Sequence, residues 1–428
     1  MWRVSVLRTI FIAMRNHPYF YYCIGTVLIL FSLIARIASY PVVTSDYTYF
    51  LAKWFVLLQE TPGLTAFATP FSDYAPLYLY VLKILSFIPV SSLYSIKTIS
   101  LLFDGVIAIV VARLMQKSSY AYTQGQRFFG GAVVFSLPTL ILNSSLWGQS
   151  DSLYASFVII SMYMMLAANP IASALAFGIA LSLKIQAIFF LPVFVGFCLR
   201  RSQTYSYLLI PPLIYIVSII PAFLGGGDVW QLLTIYAHQA GEYPWLNMSS
   251  PSVYAFSDGV SLSATLQSAL FWLGIGSAGL IALAIAGEVA GLRAHLQSGF
   301  VGLRSQLSAQ SLIMLSFLSV LIVPYVLPRM HERYFYLADL LSVIYALYTP
   351  RRAYVAVMVV GASLLAYMPY LSQQVAWLSP FRVSLVFPAL VLMVVLGILL
   401  YDVLSRGSNT RRGLESNVDM KSRRGMSS

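Results

Sequence analysis

The segment YAPLYLYVLKILSFIPV, residues 74–90, decides how the chain is threaded. It is apolar enough to cross a bilayer, and if it crosses, every later loop changes sides. The distribution of lysine and arginine decides between the two readings, because cytoplasmic loops carry the excess of these residues. If 74–90 lies on or dips into the outer face, 18 of the 26 cations fall inside: Arg3, Arg8, Arg15, Arg113, Lys117, Arg127, Arg200, Arg201, Arg293, Arg304, Arg351, Arg352 and six in the tail. The other eight are Arg36, Lys53, Lys83, Lys97, Lys184, Arg329, Arg333 and Arg382, at the outer side or span edges. A crossing would put Arg200, Arg201, Arg351, Arg352 and the tail outside. We therefore read 74–90 as an interfacial segment.

The surrounding composition makes threading the right question. Hydrophobic residues are 59% of the 428 and charged residues 9%, with a mean hydropathy of +0.80. A soluble domain carries about a quarter charged residues. Apolar stretches near helix-spanning length recur throughout, which predicts an all-α polytopic membrane protein. Twelve spans are predicted, near 18–39, 95–115, 128–146, 152–168, 171–184, 187–199, 204–224, 263–290, 307–327, 334–349, 353–371 and 380–403. The first is expected to be retained, since no small-residue cleavage site follows the basic N-terminus. In a chain of this class, the net charge of +12 reports cytoplasmic loops rather than nucleic-acid binding. Cys23 and Cys198 lie in apolar runs and imply neither a disulfide framework nor a metal set.

With this threading the acidic residues Asp46, Glu60, Asp73, Asp151, Asp228, Glu242, Asp258 and Glu332 all fall on the outer face. So do the long aromatic loops 40–94 and 225–262. Function is therefore expected there. In VTSDYTYFLAKW (43–54), Asp46 is either a turn residue or a general base at a membrane–water boundary. In PFSDYAPLYLY (70–80), Asp73 caps a helix starting at Pro76 or supports an outer cavity. In NSSLWGQSDSLYASF (143–157), Trp147 is assigned to an interfacial belt, and Gln149 and Asp151 to hydrogen bonds with a polar ligand such as a sugar. In ALSLKIQAIFF (180–190), Lys184 and Gln186 interrupt apolar runs; Lys184 either snorkels or meets a phosphate. Asp104, inside SLLFDGVIAIVV (100–111), is an intramembrane carboxylate that needs a buried partner or a function. In PRMHERYFY (328–336), Arg329, His331 and Arg333 are suited to trapping a phosphate, His331 as a switchable donor, with Glu332 orienting one of them and Tyr334 beside them.

These blocks, in this order, resemble the GT-C superfamily of integral-membrane, polyprenyl-phosphate-sugar-dependent glycosyltransferases. MHERYFY (330–336), LWGQSD (146–151) and LKIQA (183–187) look most like bacterial proteins similar to GPI mannosyltransferase II. SDYTYF (45–50) and DYAP (73–76) are similar to the acidic block and the DYPP block of the ER glucosyltransferases that extend lipid-linked oligosaccharides. The chain departs from that pattern at Ala75 and at Trp147-Gly148-Gln149. The resemblance spans roughly residues 18–350, and each block is short; their order carries the likeness.

The resemblance implies transfer of a hexose, mannose by the nearest likeness, from a polyprenyl-phosphate donor to an acceptor hydroxyl on a glycan, lipid or protein, with inversion. Asp46 would be the base. Arg329, His331, Arg333 and, more weakly, Lys184 would hold the donor phosphate. Asp73, Gln149, Asp151, Gln186, Glu332 and Tyr334 would hold or support sugar and acceptor. No cofactor is expected, although Asp46 with Asp151 could take Mg²⁺ or Mn²⁺. The chain then divides into a cytoplasmic N-terminus (1–17), a catalytic module (18–224), an outer loop (225–262), a second transmembrane module (263–404) and a disordered basic tail facing lipid (405–428). A bacterial plasma membrane with an extracytoplasmic site is expected, with an ER membrane and lumenal site as the alternative. The rival from another class is a transporter or lipid-linked-sugar flippase, which Asp104 and the proline-broken spans would suit.

Overall fold

Proline placement and apolar length explain most of the architecture. The computed structural model describes residues 17, 19–200, 202–292, 307–378 and 383–425. Arg3, Arg8, Arg15, Arg201, Arg293, Arg304 and Arg382, all used in the cation count, lie outside the described residues, as does most of the expected N-terminal segment.

The α-helices run α1 Phe20–Ser39, α2 Ala52–Glu60, α3 Pro76–Leu85, α4 Ser92–Leu114 and α5 Gln124–Phe135. They continue as α6 Asp151–Leu166, α7 Pro170–Leu183, α8 Leu191–Leu199, α9 Ile210–Leu224 and α10 Val229–Gly241. The last are α11 Ala264–Ala290, α12 Ala309–Val326, α13 Tyr336–Tyr348, α14 Ala353–Gln374 and α15 Val386–Gly425.

Every predicted span has a helical counterpart, but twelve full crossings are not seen. Seven helices among the described residues are long and apolar enough to cross a membrane, and an eighth if Gln124–Phe135 and Pro138–Trp147, bent by 44°, form one span. The segments predicted at 152–168, 171–184 and 187–199 are shorter apolar helices, and the one at 334–349 has a helix of 13 residues. The reason is local. Pro138, Pro170 and Pro192 each sit in a first helical turn, where proline lacks no needed N–H, so each begins a new helix instead of extending the last. Lys184 adopts an extended conformation and closes α7.

The segment 74–90 forms a helix of only ten residues, α3, about 15 Å long at 1.5 Å per residue. That is half of a hydrocarbon core of about 30 Å. Pro76 starts it, and the Lys83 ammonium donates to the carbonyls of Leu58 (2.5 Å) and Thr61 (2.7 Å) at the end of α2. A cation there satisfies carbonyls that the helix leaves unpaired. Lys97 does the same for α1, donating to Ser39, Tyr40 and Val42 carbonyls at 3.2, 2.9 and 2.7 Å. Arg36 is fully buried and paired with Asp104 at 2.7 Å. These three cations, assigned above to the outer side or span edges, are internal fastenings and mark no side.

The centre of the bundle is α6, α12 and α13, whose residues are largely buried on all faces. Around it α1 and α4 pack on α5, α7 on α6 and α9, α8 on α11, and α14 on α13 and α15. Close approaches fix some of these crossings. A Cβ on Gly196 of α8 would lie 2.4 Å from the Ala286 carbonyl oxygen of α11.

Two further expectations change. The loop 225–262 contains α10 and a two-residue strand, Asn247–Met248, paired in parallel with Met330–His331. The basic segment 405–425, expected to be disordered, continues α15 as helix; extending a nucleated helix adds one hydrogen bond per ordered residue, whereas starting one is costly.

Candidate functional site

Two neighbouring segments leave the ordinary α-helical winding. Tyr47–Leu51 and Ile141–Trp147 are π-helical, a wider winding that recurs at functional sites. Asp46 immediately precedes the first, and Trp147 ends the second. Gly148 follows with φ +80°, a left-handed conformation that glycine adopts without strain. The Ser100 hydroxyl donates to the next residue's carbonyl, that of Gln149, at 2.8 Å. The turn is thereby anchored on α4, and Gln149 is aimed at Asp46.

Three N–H donors from two distant parts of the chain converge on Asp46 Oδ2. Gln149 Nε2 lies at 2.7 Å, Trp147 Nε1 at 3.0 Å and Arg333 Nη1 at 3.4 Å. Behind the carboxylate, the Tyr370 hydroxyl accepts from the Asp46 backbone N–H at 3.2 Å and meets the Ser45 hydroxyl at 2.9 Å. Gln374 Oε1 accepts from the Ser45 N–H at 2.8 Å. The Tyr370 ring stacks on Trp147 with centroids 4.2 Å apart. Trp147, assigned above to an interfacial belt, is instead wholly buried, because its N–H is committed to the carboxylate and both ring faces to protein.

Beneath this set lies a second ion pair. Lys184 Nζ donates to Asp151 Oδ1, whose other oxygen accepts from Asn143 Nδ2 at 2.7 Å. Both charges are buried, so each is satisfied by the other and by an amide instead of by water. Lys184, expected to meet a phosphate, and Asp151, expected to meet a sugar, are thus partnered to each other and brace α6 against the end of α7. The Lys184 ammonium also sits 5.5 Å over the Tyr74 ring.

The cluster at 329–333 opens in two directions. Arg329 has φ +63°, and its backbone N–H donates to the Leu246 carbonyl at 2.7 Å. Its guanidinium lies 4.5 Å over the Phe271 ring and donates to the Ala240 carbonyl at 3.2 Å. Arg333 points the other way, towards Asp46. Glu332 stands between the basic groups, 3.7 Å from Arg333 Nη1 and 3.9 Å from His331 Nδ1. Burial raises the Glu332 carboxyl to about 7 against the pull of Arg333. Burial, then the charges of Arg333 and Lys184, push the His331 imidazole down to about 3. His331 is consequently a neutral donor or acceptor at ordinary pH and not the switchable cation expected from the sequence.

Two cavities adjoin here, and only the smaller reaches this cluster. One of about 250 Å³ takes Gln186, Arg329, His331, Arg333 and Tyr334 into its wall, beside apolar Ile188, Phe189, Phe271 and Ile275. The Gln186 side-chain oxygen is buried there without a partner. The other, of about 860 Å³, lies between α2, α3 and α10. Asp73, Tyr74, Gln239 and Glu242 line both.

The structure thus gathers Asp46, Gln149 and Arg333 directly, and Asp73, Gln186, Arg329, His331 and Tyr334 around the adjoining space, with Glu332 buried beside Arg333 and His331. Asp104 stands apart. It accepts from Arg36 Nη1, the Ser144 hydroxyl at 2.7 Å and the Tyr336 hydroxyl at 3.0 Å, all buried. The sequence reading missed Tyr370 and Gln374, whose signal was a pair of polar residues four apart at the end of an apolar helix. It also missed Glu242 as a wall residue and Asn143 as the amide partner of Asp151. Buried Asp339, which accepts from the Ser363 hydroxyl at 2.7 Å, was not singled out either.

Asp46 and Asp151, the pair considered for Mg²⁺ or Mn²⁺, both face N–H donors, a set that does not fit a cation. Among the described residues no group of three or more His, Cys, Asp or Glu side chains is placed to hold a metal ion. No family model matches the chain, and no curated protein matches it.

Proposed function

We propose that this membrane protein is a glycosyltransferase of the polyprenyl-phosphate-sugar-dependent kind. It moves a hexose, mannose by the resemblance of its motifs, onto an acceptor hydroxyl at the extracytoplasmic face of a bacterial plasma membrane. The observation that carries the reading is Arg333, which touches the Asp46 carboxylate and also lines a cavity with an apolar wall. A lipid phosphate needs such a place: chain against apolar side chains, anion against guanidinium groups, reacting carbon beside a carboxylate.

In the proposed reaction the acceptor oxygen attacks the anomeric carbon as the bond to the phosphate oxygen breaks. The electron pair of that bond leaves with the polyprenyl phosphate, where Arg333, Arg329 and the neutral His331 N–H offset the charge. Asp46 takes the hydroxyl proton. All three N–H donors use Oδ2, the Tyr370 hydroxyl is also hydrogen-bonded to the carboxylate, and together they hold it at a fixed angle. One attack gives inversion.

The transporter alternative drew on Asp104. That carboxylate has a full set of partners in Arg36, Ser144 and Tyr336, which accounts for it as a structural tie. The experiment is turnover by the purified protein in nanodiscs with a panel of polyprenyl-phosphate hexoses. Release of polyprenyl phosphate with sugar appearing on an acceptor supports the proposal; no consumption of any donor refutes it.

A further inference from the structure

We propose that the larger cavity is the acceptor subsite, and that it admits a neutral or amine-bearing sugar and rejects an anionic one. The assignment rests on the transfer reaction proposed above. The two cavities differ in charge. Asp73 and Glu242 line both; the smaller adds Arg329 and Arg333, whereas the larger adds Asp228 and His238 and has no lysine or arginine in its wall. Arg333 and Lys184 reach Asp73 with their fields from the far side, yet burial outweighs them and its carboxyl is raised. Burial and then the charge of Asp73 raise Glu242 in turn, so the two carboxyls already repel at the junction of the cavities. A third anion brought between them costs free energy, and an ammonium gains it.

Shape and lining point to a sugar. The volume of about 860 Å³ is within the range of about 300–1,000 Å³ that ligand sites occupy. Trp54 forms an aromatic wall with Tyr74, ring centroids 5.2 Å apart, and with Phe50 at 6.0 Å. Phe67 and Phe71 add a second pair at 5.6 Å. A pyranose presents an apolar C–H face to such rings and hydroxyls to carboxylates and amides, here those of Gln231 and Gln239. The proposed base is linked to the junction of the cavities through Arg333, which touches Asp46 and lines the smaller cavity that shares Asp73 and Glu242 with the larger.

Two measurements test the inference. The first needs no turnover. In a Cys23→Ser background, Gln231→Cys places a thiol in the cavity wall, and its reaction with cationic and anionic methanethiosulfonates of equal size is timed. The cationic reagent should react about tenfold faster, and the ratio should fall towards one in Asp73→Asn/Glu242→Gln. An anionic reagent that reacts as fast or faster overturns the proposal. The second compares kcat/KM for alkyl glycosides carrying a hydroxyl, an amine or a carboxylate on the same ring. Wild type should disfavour the uronate by about tenfold or more, and Glu242→Lys should reverse the order. Equal use of the three overturns the charge selection while leaving transfer itself intact. Transfer to none of them, with the thiol ratio as expected, overturns the transfer reaction and with it the acceptor assignment.

Discussion

Glu332 shows how little of a residue's chemistry lies in its letter. In the sequence it is one acid among basic neighbours, and the natural expectation is an ionised carboxylate. Burial instead raises it to about 7. The sign follows from linkage: a carboxyl whose pKa is higher in the folded protein binds its proton more tightly there. Its contribution to stability is therefore complete below the unfolded value and is lost as pH rises through about 7. Donor binding should follow the same direction, because ionisation adds a negative charge between Arg333 and His331. We expect affinity for a lipid phosphate to fall across this range in wild type and to stay flat in Glu332→Gln. His331, held near 3, contributes nothing to that limb. A wild-type profile that is flat, or that falls equally in Glu332→Gln, would remove Glu332 from the phosphate site.

Among elements, the site depends on short departures from regular helix more than on the spans. Apolar length and proline positions made the helices legible, and Pro76 and Lys184 marked real breaks, whereas Asp73 does not cap α3, whose N-cap is Ala75. The π-helical winding at 47–51 and 141–147 left no periodic signature in runs this short. Nor could the sequence show that Trp147 faces inward, since an interfacial and a buried tryptophan have the same neighbours in the chain. The pairing of Lys184 with Asp151, or Lys97 with the end of α1, joins positions far apart and has no local cue. Gly148 is the sharpest test at this scale. An alanine there must hold φ near +80°, at a cost of about 1–3 kcal/mol, while its methyl group would meet Lys97 only at ordinary contact distance. Gly148→Ala should lower the unfolding temperature slightly and transfer more strongly, through a misdirected Gln149. Unchanged turnover would show that the turn does not position the site.

For the whole molecule, the ten residues of α3 and the meeting of Asp46, Gln149 and Arg333 are what a threading with 74–90 at the interface requires. They do not depend on Arg36, Lys83 or Lys97, which proved internal. Cysteines placed at Ser118 and Ala240 should react with impermeant reagents from opposite sides of the membrane; labelling from the same side would overturn the interfacial placement of 74–90. The fold class was open in the sequence because hydrocarbon demands long apolar helices, whereas the number of crossings was not, because packing, and not composition, decides where a short helix ends. The central claim is that Asp46 performs proton transfer beside a bound lipid phosphate. The measurement that meets it most directly is Asp46→Asn in nanodiscs, with donor binding and sugar transfer recorded on the same preparation. Donor affinity is expected to stay within about twofold of wild type while transfer drops about 10²–10⁴-fold; transfer at the wild-type rate would contradict it.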